Sequence, residues 1–129
     1  MNAREQDENL KLGALVQETF RSKDIDKIAH AIDATCEVKG WNTDNRDESE
    51  WAALAHTEIS EAYESYRNGE PLYFVGDGGK PEGAAIEYAD CIIRCLHWFI
   101  RHDLNPSTFI GMKMMYNTQR PFRHGGKKA

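Results

Sequence analysis

The sequence predicts an all-α protein, an antiparallel helical bundle of four to five helices with an irregular basic C-terminal tail. Three observations carry that expectation. Apolar residues recur at spacings of three and four over most of the chain. Strand signals are weak, and only Pro71 to Val75 suits a short extended piece. Breaks at Gly, Pro and Asn-Pro leave short connections between long helical stretches, which favours antiparallel neighbours.

The elements follow in order. Leu12, Leu15, Val16 and Phe20 form one apolar set in a helical region from about Asn9 to Lys39. Ser22-Lys23 breaks or kinks that region, and Asp24 is suited to N-cap a second run with Ile25, Ile28, Ala29, Ile32 and Cys36 on one side. Gly40 ends it, and Trp41 to Asn45 is a polar turn around one large aromatic. The next helix runs from Asp47 to Asn68 with Gly69 as the stop. Glu70 to Pro81 is a loop rich in Gly and Pro. It is no phosphate-binding P-loop, because Lys80 is followed by Pro81 rather than Ser or Thr. A helix from about Glu82 to His102 follows, and Pro106 suits the first turn of a last helix reaching about Asn117.

Composition bounds the function. With 129 residues, 40% hydrophobic and 29% charged, the chain suits one domain over 1–129, with a core over about 25–120 and a basic tail over 118–129. The first ten residues carry charges of both signs and no apolar stretch, unlike a secretory signal. The most apolar segment, Ala84 to Ile100, contains Glu87, Asp90, Arg94 and His97, too many polar groups for a membrane span. A soluble, cytoplasmic protein is expected. Three cysteines, an odd number without a CxxC pair, argue against a disulfide framework. Cys91 and Cys95, four apart on a helix, read as small buried apolar groups. The net charge of −5 is uneven: Leu104 to Ala129 holds five Lys or Arg and no acid, so all 21 acidic residues precede it. An acidic body with a basic tail can bind a divalent cation with one part and phosphates with the other; a solvated tail has the same composition.

The helix from Glu82 to His102 says most about chemistry. At about 100° per residue, Glu87, Asp90, Arg94, His97 and Arg101 fall within a wedge of about 80°, and almost everything else is apolar or small. So narrow a polar stripe predicts a helix buried on most sides, its stripe facing a strip of solvent or a polar cleft. On the preceding helix Glu58 and Glu61 form a second acidic pair at spacing three. If the two helices pack antiparallel, four carboxylates converge. Such anions need protons or a cation, and an oxygen-only ligand set suits Mg²⁺. The plain alternative is ion pairing with Arg94, Arg101 or Lys80, or simple solvation. A di-iron site would need Glu-x-x-His, which is absent.

LAHTEISEAYESYRNG followed by KPEGAAIEYADCIIRCLHW resembles the MazG-like all-α nucleoside triphosphate pyrophosphatase family, whose mark is ExxE, a spacer, then ExxD. Here these are Glu58 to Glu61 and Glu87 to Asp90, with 25 residues between them. Thr57 stands where many members have a further Glu. In KMMYNTQRPFRHGGKK, Lys113, Asn117 and Arg120 match the family's phosphate- and nucleotide-contacting spacing. AIDATCEVKGW resembles the segment that ends in the aromatic of its base pocket, here Trp41, with His30 nearby.

The resemblance implies a hydrolase that converts a (d)NTP to the (d)NMP and pyrophosphate in nucleotide-pool house-cleaning. It implies Mg²⁺, with Mn²⁺ as a substitute, on Glu58, Glu61, Glu87 and Asp90. Glu61 is the first choice to orient or deprotonate the attacking water, with Glu58 close behind. Lys113 and Arg120 would neutralise phosphate charge, Asn117 would read a base or sugar edge, and Trp41 or Tyr116 would stack on the base. Arg123, His124 and Lys127 would either close over the triphosphate or belong to a disordered tail. A homodimer or homotetramer is expected. The rival readings are a non-catalytic helical module binding nucleotide or protein, a nucleic-acid binder using the basic tail, and a sister reaction such as phosphoribosyl-ATP pyrophosphohydrolysis.

Overall fold

The computed structural model describes residues 1–42 and 45–121. Five helices account for most of them: α1 (Ala3–Ser22), α2 (Ile25–Val38), α3 (Glu48–Arg67), α4 (Ala84–Arg101) and α5 (Pro106–Thr118). The expected mostly helical bundle is present. The helical region expected to start near Asn9 starts at Ala3, because Asn2 and Glu5 form a capping box that satisfies the first free amides of α1. Its expected break is a full reversal. Lys23 takes a left-handed conformation (φ 55°), closing α1, and Asp24 caps α2 through the amides of Asp26 and Lys27. Lys39 Nζ reaches back to Asn9 at 2.7 Å, so α1 and α2 run antiparallel.

The loop between α3 and α4 is more ordered than its glycines and prolines predict. Two short strands, β1 (Phe74–Val75) and β2 (Pro81–Glu82), pair antiparallel around a single 3-10 turn at Asp77–Gly79. Leu72 then lays its carbonyl on the first turn of α4, accepting from the Ala85 amide at 3.0 Å. That bond replaces the side-chain cap that Gly83 lacks. Gly83 has φ 109°, and a Cβ there would stand 2.5 Å from the Leu72 oxygen, so only glycine fits.

α4 is the central element, with α3 on one side and α2 on the other. The antiparallel course of α3 and α4 is fixed at one end by Trp98 and His102 bonding Glu48, and further along by Arg94 bonding Glu58. The closed core is small: Ala29 and Ile32 of α2 against Leu96 of α4, flanked by Ile25, Ile28, Cys36 and Ile100. α5 is tied to the start of α2 by the Ser107 amide donating to Asp26.

The burial of α4 departs from expectation in an informative way. Its polar stripe turns inward, with His97 buried and Glu87, Asp90 and Arg94 half-buried. Its apolar residues Tyr88, Ile92 and Ile93 are exposed. The neighbours of α4 in a single chain cover most of the stripe and, at Leu96 and Ile100, only part of the apolar face. No described helix is long and apolar enough to cross a membrane.

Candidate metal centre and adjoining pocket

The antiparallel α3–α4 pair brings Glu58, Glu61 and Glu87 together. One oxygen from each lies within 4.8 Å of the others. Glu58 and Glu61 share a face of α3 by their three-residue spacing, and Glu87 enters from the first turn of α4. The hairpin and the Leu72 carbonyl therefore set the height at which Glu87 meets α3. Glu58 is buried, with 7% of its surface exposed, whereas Glu61 is exposed and Glu87 half-buried.

The charge state of the cluster follows from this crowding. Burial pushes the Glu87 carboxyl up to about 7, helped by hydrogen bonding to Glu58 and Glu61 and by the negative charges of Glu61 and Asp90. Burial also pushes Glu58 up, but hydrogen bonds from Arg94 and Glu87 outweigh it and hold this carboxyl below its ordinary value. Arg94 Nε donates to Glu58 Oε1 at 2.7 Å. The Arg94 guanidinium and the raised Glu87 carboxyl each offset part of the cluster's negative charge. Oxygen atoms this close, from carboxylates alone, are the donor set of a hard divalent cation.

Asp90, the fourth expected ligand, stands one turn along α4 and outside the group of three. It is half-buried, and burial and the Glu58 charge raise its pKa. It joins Glu58 and Trp41 on the wall of a pocket of about 360 Å³. Arg46, Arg94, Cys36, Ile93 and His97 complete the lining. This volume lies in the range of small-molecule sites. Trp41 is 58% exposed, so its ring is available to a ligand rather than locked in the core.

The floor of the pocket is a group that the sequence reading did not single out. His97 Nε2 lies 3.1 Å from Asp33 Oδ1, and its Nδ1 lies 3.7 Å from Cys36 Sγ. Burial lowers the His97 pKa against the opposing pull of Asp33. A neutral ring donating from Nε2 to Asp33 and accepting the thiol proton at Nδ1 satisfies both nitrogens. Asn42 Nδ2 also donates to Asp33 Oδ1, at 2.9 Å. Burial pushes the Cys36 thiol up, with the Asp33 charge adding to it, which makes Cys36 a poor nucleophile. Arg46 lies 5.1 Å from the Trp51 ring centre, and Trp51 meets the edge of His97, so the floor is braced from α3. Asp33 gave one signal in sequence: it is an isolated acid beside the apolar run of α2, three residues before Cys36.

The basic residues of the C-terminal region are placed elsewhere. Lys113 and Asn117 lie on the exposed later turns of α5, and Arg120 follows that helix. Lys113 and Arg120 flank the Tyr116 ring at 5.0 and 5.9 Å. Within one chain they line neither the pocket nor the carboxylate cluster. His30 lies on the exposed side of α2 and is not among the pocket residues. Arg123, His124 and Lys127 lie outside the described residues. Comparison with protein-family models, with curated proteins and with solved structures gives no match for this chain.

Proposed function

We propose that the chain is a Mg²⁺-dependent nucleoside triphosphate pyrophosphohydrolase of the MazG-like kind, converting a (d)NTP and water to the (d)NMP and pyrophosphate. One observation carries the reading: three carboxylates from α3 and α4 converge, and one of them, Glu58, also lines a pocket of small-molecule size together with Asp90, Trp41 and two arginines. Glu58, Glu61 and Glu87 would hold the cation, and Asp90, which lines the same pocket as Glu58, would join through a water or a second ion. A bound Mg²⁺, or Mn²⁺ in its place, would neutralise phosphate oxygens and acidify a water. Glu61, the exposed member of the three, would orient that water and take its proton. The water oxygen attacks the α-phosphorus, the α–β anhydride bond breaks, and pyrophosphate leaves. Trp41 would stack on the base.

Lys113, Asn117 and Arg120 serve this reaction if they are supplied across a subunit contact. The exposed apolar faces of α3 and α4, with Ile59, Tyr63, Tyr88 and Ile92, support a homodimer or homotetramer. The reading is tested by incubating the protein with Mg²⁺ and each canonical or modified nucleotide and assaying pyrophosphate. Release by the wild type and its loss in Glu61→Gln, with an unchanged circular dichroism spectrum, is the expected result. Nucleotide binding without release from any nucleotide would favour a non-catalytic module.

A further inference from the structure

Arg94 stands where the carboxylate cluster and the pocket meet. It bonds Glu58 on one side and lines the pocket with Asp90 and Trp41 on the other. Among the described residues it is the one cation within ion-pair distance of any of the four acids. A buried carboxylate is costly without a counter-charge, and this guanidinium supplies it. A divalent cation shared by Glu58, Glu61 and Glu87 supplies the same charge, so the two compete for Glu58. Arg94 keeps 33% of its side chain exposed, which leaves it room to move.

We propose that Arg94 is a counter-ion latch: it neutralises Glu58 while the site is metal-free, yields that carboxylate to a divalent cation, and then turns its guanidinium to a phosphate of the nucleotide in the pocket. The inference rests on the pyrophosphohydrolase reading for its phosphate and on the carboxylate cluster for its cation. Because cation and guanidinium oppose each other at Glu58, removing the guanidinium must strengthen metal binding. Because it then meets the phosphate, the same change must slow turnover. A purely structural role would not move the two in opposite directions.

The test uses Arg94→Gln, whose amide still donates to Glu58 but carries no charge. Mn²⁺ binding without nucleotide, followed by electron paramagnetic resonance, is expected to tighten about tenfold. The kcat for pyrophosphate release is expected to fall about a hundredfold. Arg94→Lys restores the charge, and with it the wild-type Mn²⁺ affinity. It does not restore kcat, since an ammonium cannot grip two phosphate oxygens in a fork. Equal Mn²⁺ affinity in wild type and Arg94→Gln overturns the latch alone. A wild type that takes up no Mn²⁺ overturns the metal centre and the latch with it. If Arg94→Gln does not fold, Arg94→Lys decides: lowered kcat at unchanged Mn²⁺ affinity supports the proposal, and wild-type kcat overturns it.

Discussion

Glu87 is the residue whose chemistry the fold alters most. Its carboxyl is pushed from 4.5 up to about 7 by burial and by its acidic neighbours, so the metal-free folded protein holds a proton there that the unfolded chain has released. Between pH 4.5 and 7 the native state therefore binds more protons than the unfolded state, and stability falls as pH rises through that window. The raised Asp90 acts in the same direction, and His97, lowered by burial, acts in the opposite one. Comparison with Glu87→Gln removes the terms common to both proteins. In a chelator, the melting temperature of the wild type relative to that variant should decline from pH 5 to pH 8. With saturating Mg²⁺ the decline should vanish, because the cation replaces the proton. A difference that is flat with pH in chelator would mean that Glu87 does not share its charge with Glu58 and Glu61. At the same scale, Trp98 and His102 bond separate oxygens of Glu48, and Glu48→Gln keeps one of these acceptors and loses the other with its charge. Both bonds are solvent-exposed, so urea denaturation should show only a small loss of stability.

At the scale of elements, the α3–α4 hairpin decides whether a site exists, and Gly83 is its tightest point. Gly83→Ala combines a positive φ with a methyl group 2.5 Å from the Leu72 oxygen, so either the strand pair or the first turn of α4 must shift. The expected cost is about 1–3 kcal/mol by urea denaturation. Mn²⁺ affinity should weaken as well, because Glu87 is one turn from the strain. Unchanged affinity would show that the hairpin does not set the height of Glu87. The extended piece expected at Pro71 to Val75 holds β1, but a loop of Gly and Pro gives turn chemistry, not the strand pairing or the carbonyl on which the next helix is capped. The helices themselves were legible, since their caps and periodicity are local. The stripe on α4 was legible too, but a one-dimensional stripe reads the same for a helix facing water as for one facing a cleft. Asp33 went unnoticed because its meaning comes from His97 across the α2–α4 contact. Lys113, Asn117 and Arg120 have a suggestive spacing, yet spacing along α5 carries no information about its distance from α3.

For the molecule as a whole, the difficulty is an apolar surface that the single chain leaves open. Tyr88 (55% exposed) and Ile92 (58%) sit one turn apart on α4, and Ile59 and Tyr63 are exposed on the neighbouring α3. On the polar stripe of α4, Glu87, Asp90, Arg94 and His97 are turned inward, whereas Arg101 is exposed. The helix therefore buries most of its polar stripe together with Leu96 and leaves part of its apolar surface exposed, so charge must be balanced within and apolar area covered without. The proposed homodimer supplies the covering, and the ion pairs and the bound cation supply the balance. The two are separable by substitution. Ile92→Asp places a charge at the centre of the exposed apolar face and leaves every carboxylate untouched. Light scattering coupled to size exclusion should show a mass of about twice the 14.7 kDa chain, or four times it, for the wild type, and the single-chain mass for Ile92→Asp. Mn²⁺ affinity should be retained, because Glu58, Glu61 and Glu87 come from one chain. Pyrophosphate release should fall, because Lys113 and Arg120 reach a phosphate only from a neighbour in this reading. A monomeric variant that keeps full turnover would return those two residues to the status of surface cations and leave Arg46 and Arg94 as the charge that meets the triphosphate.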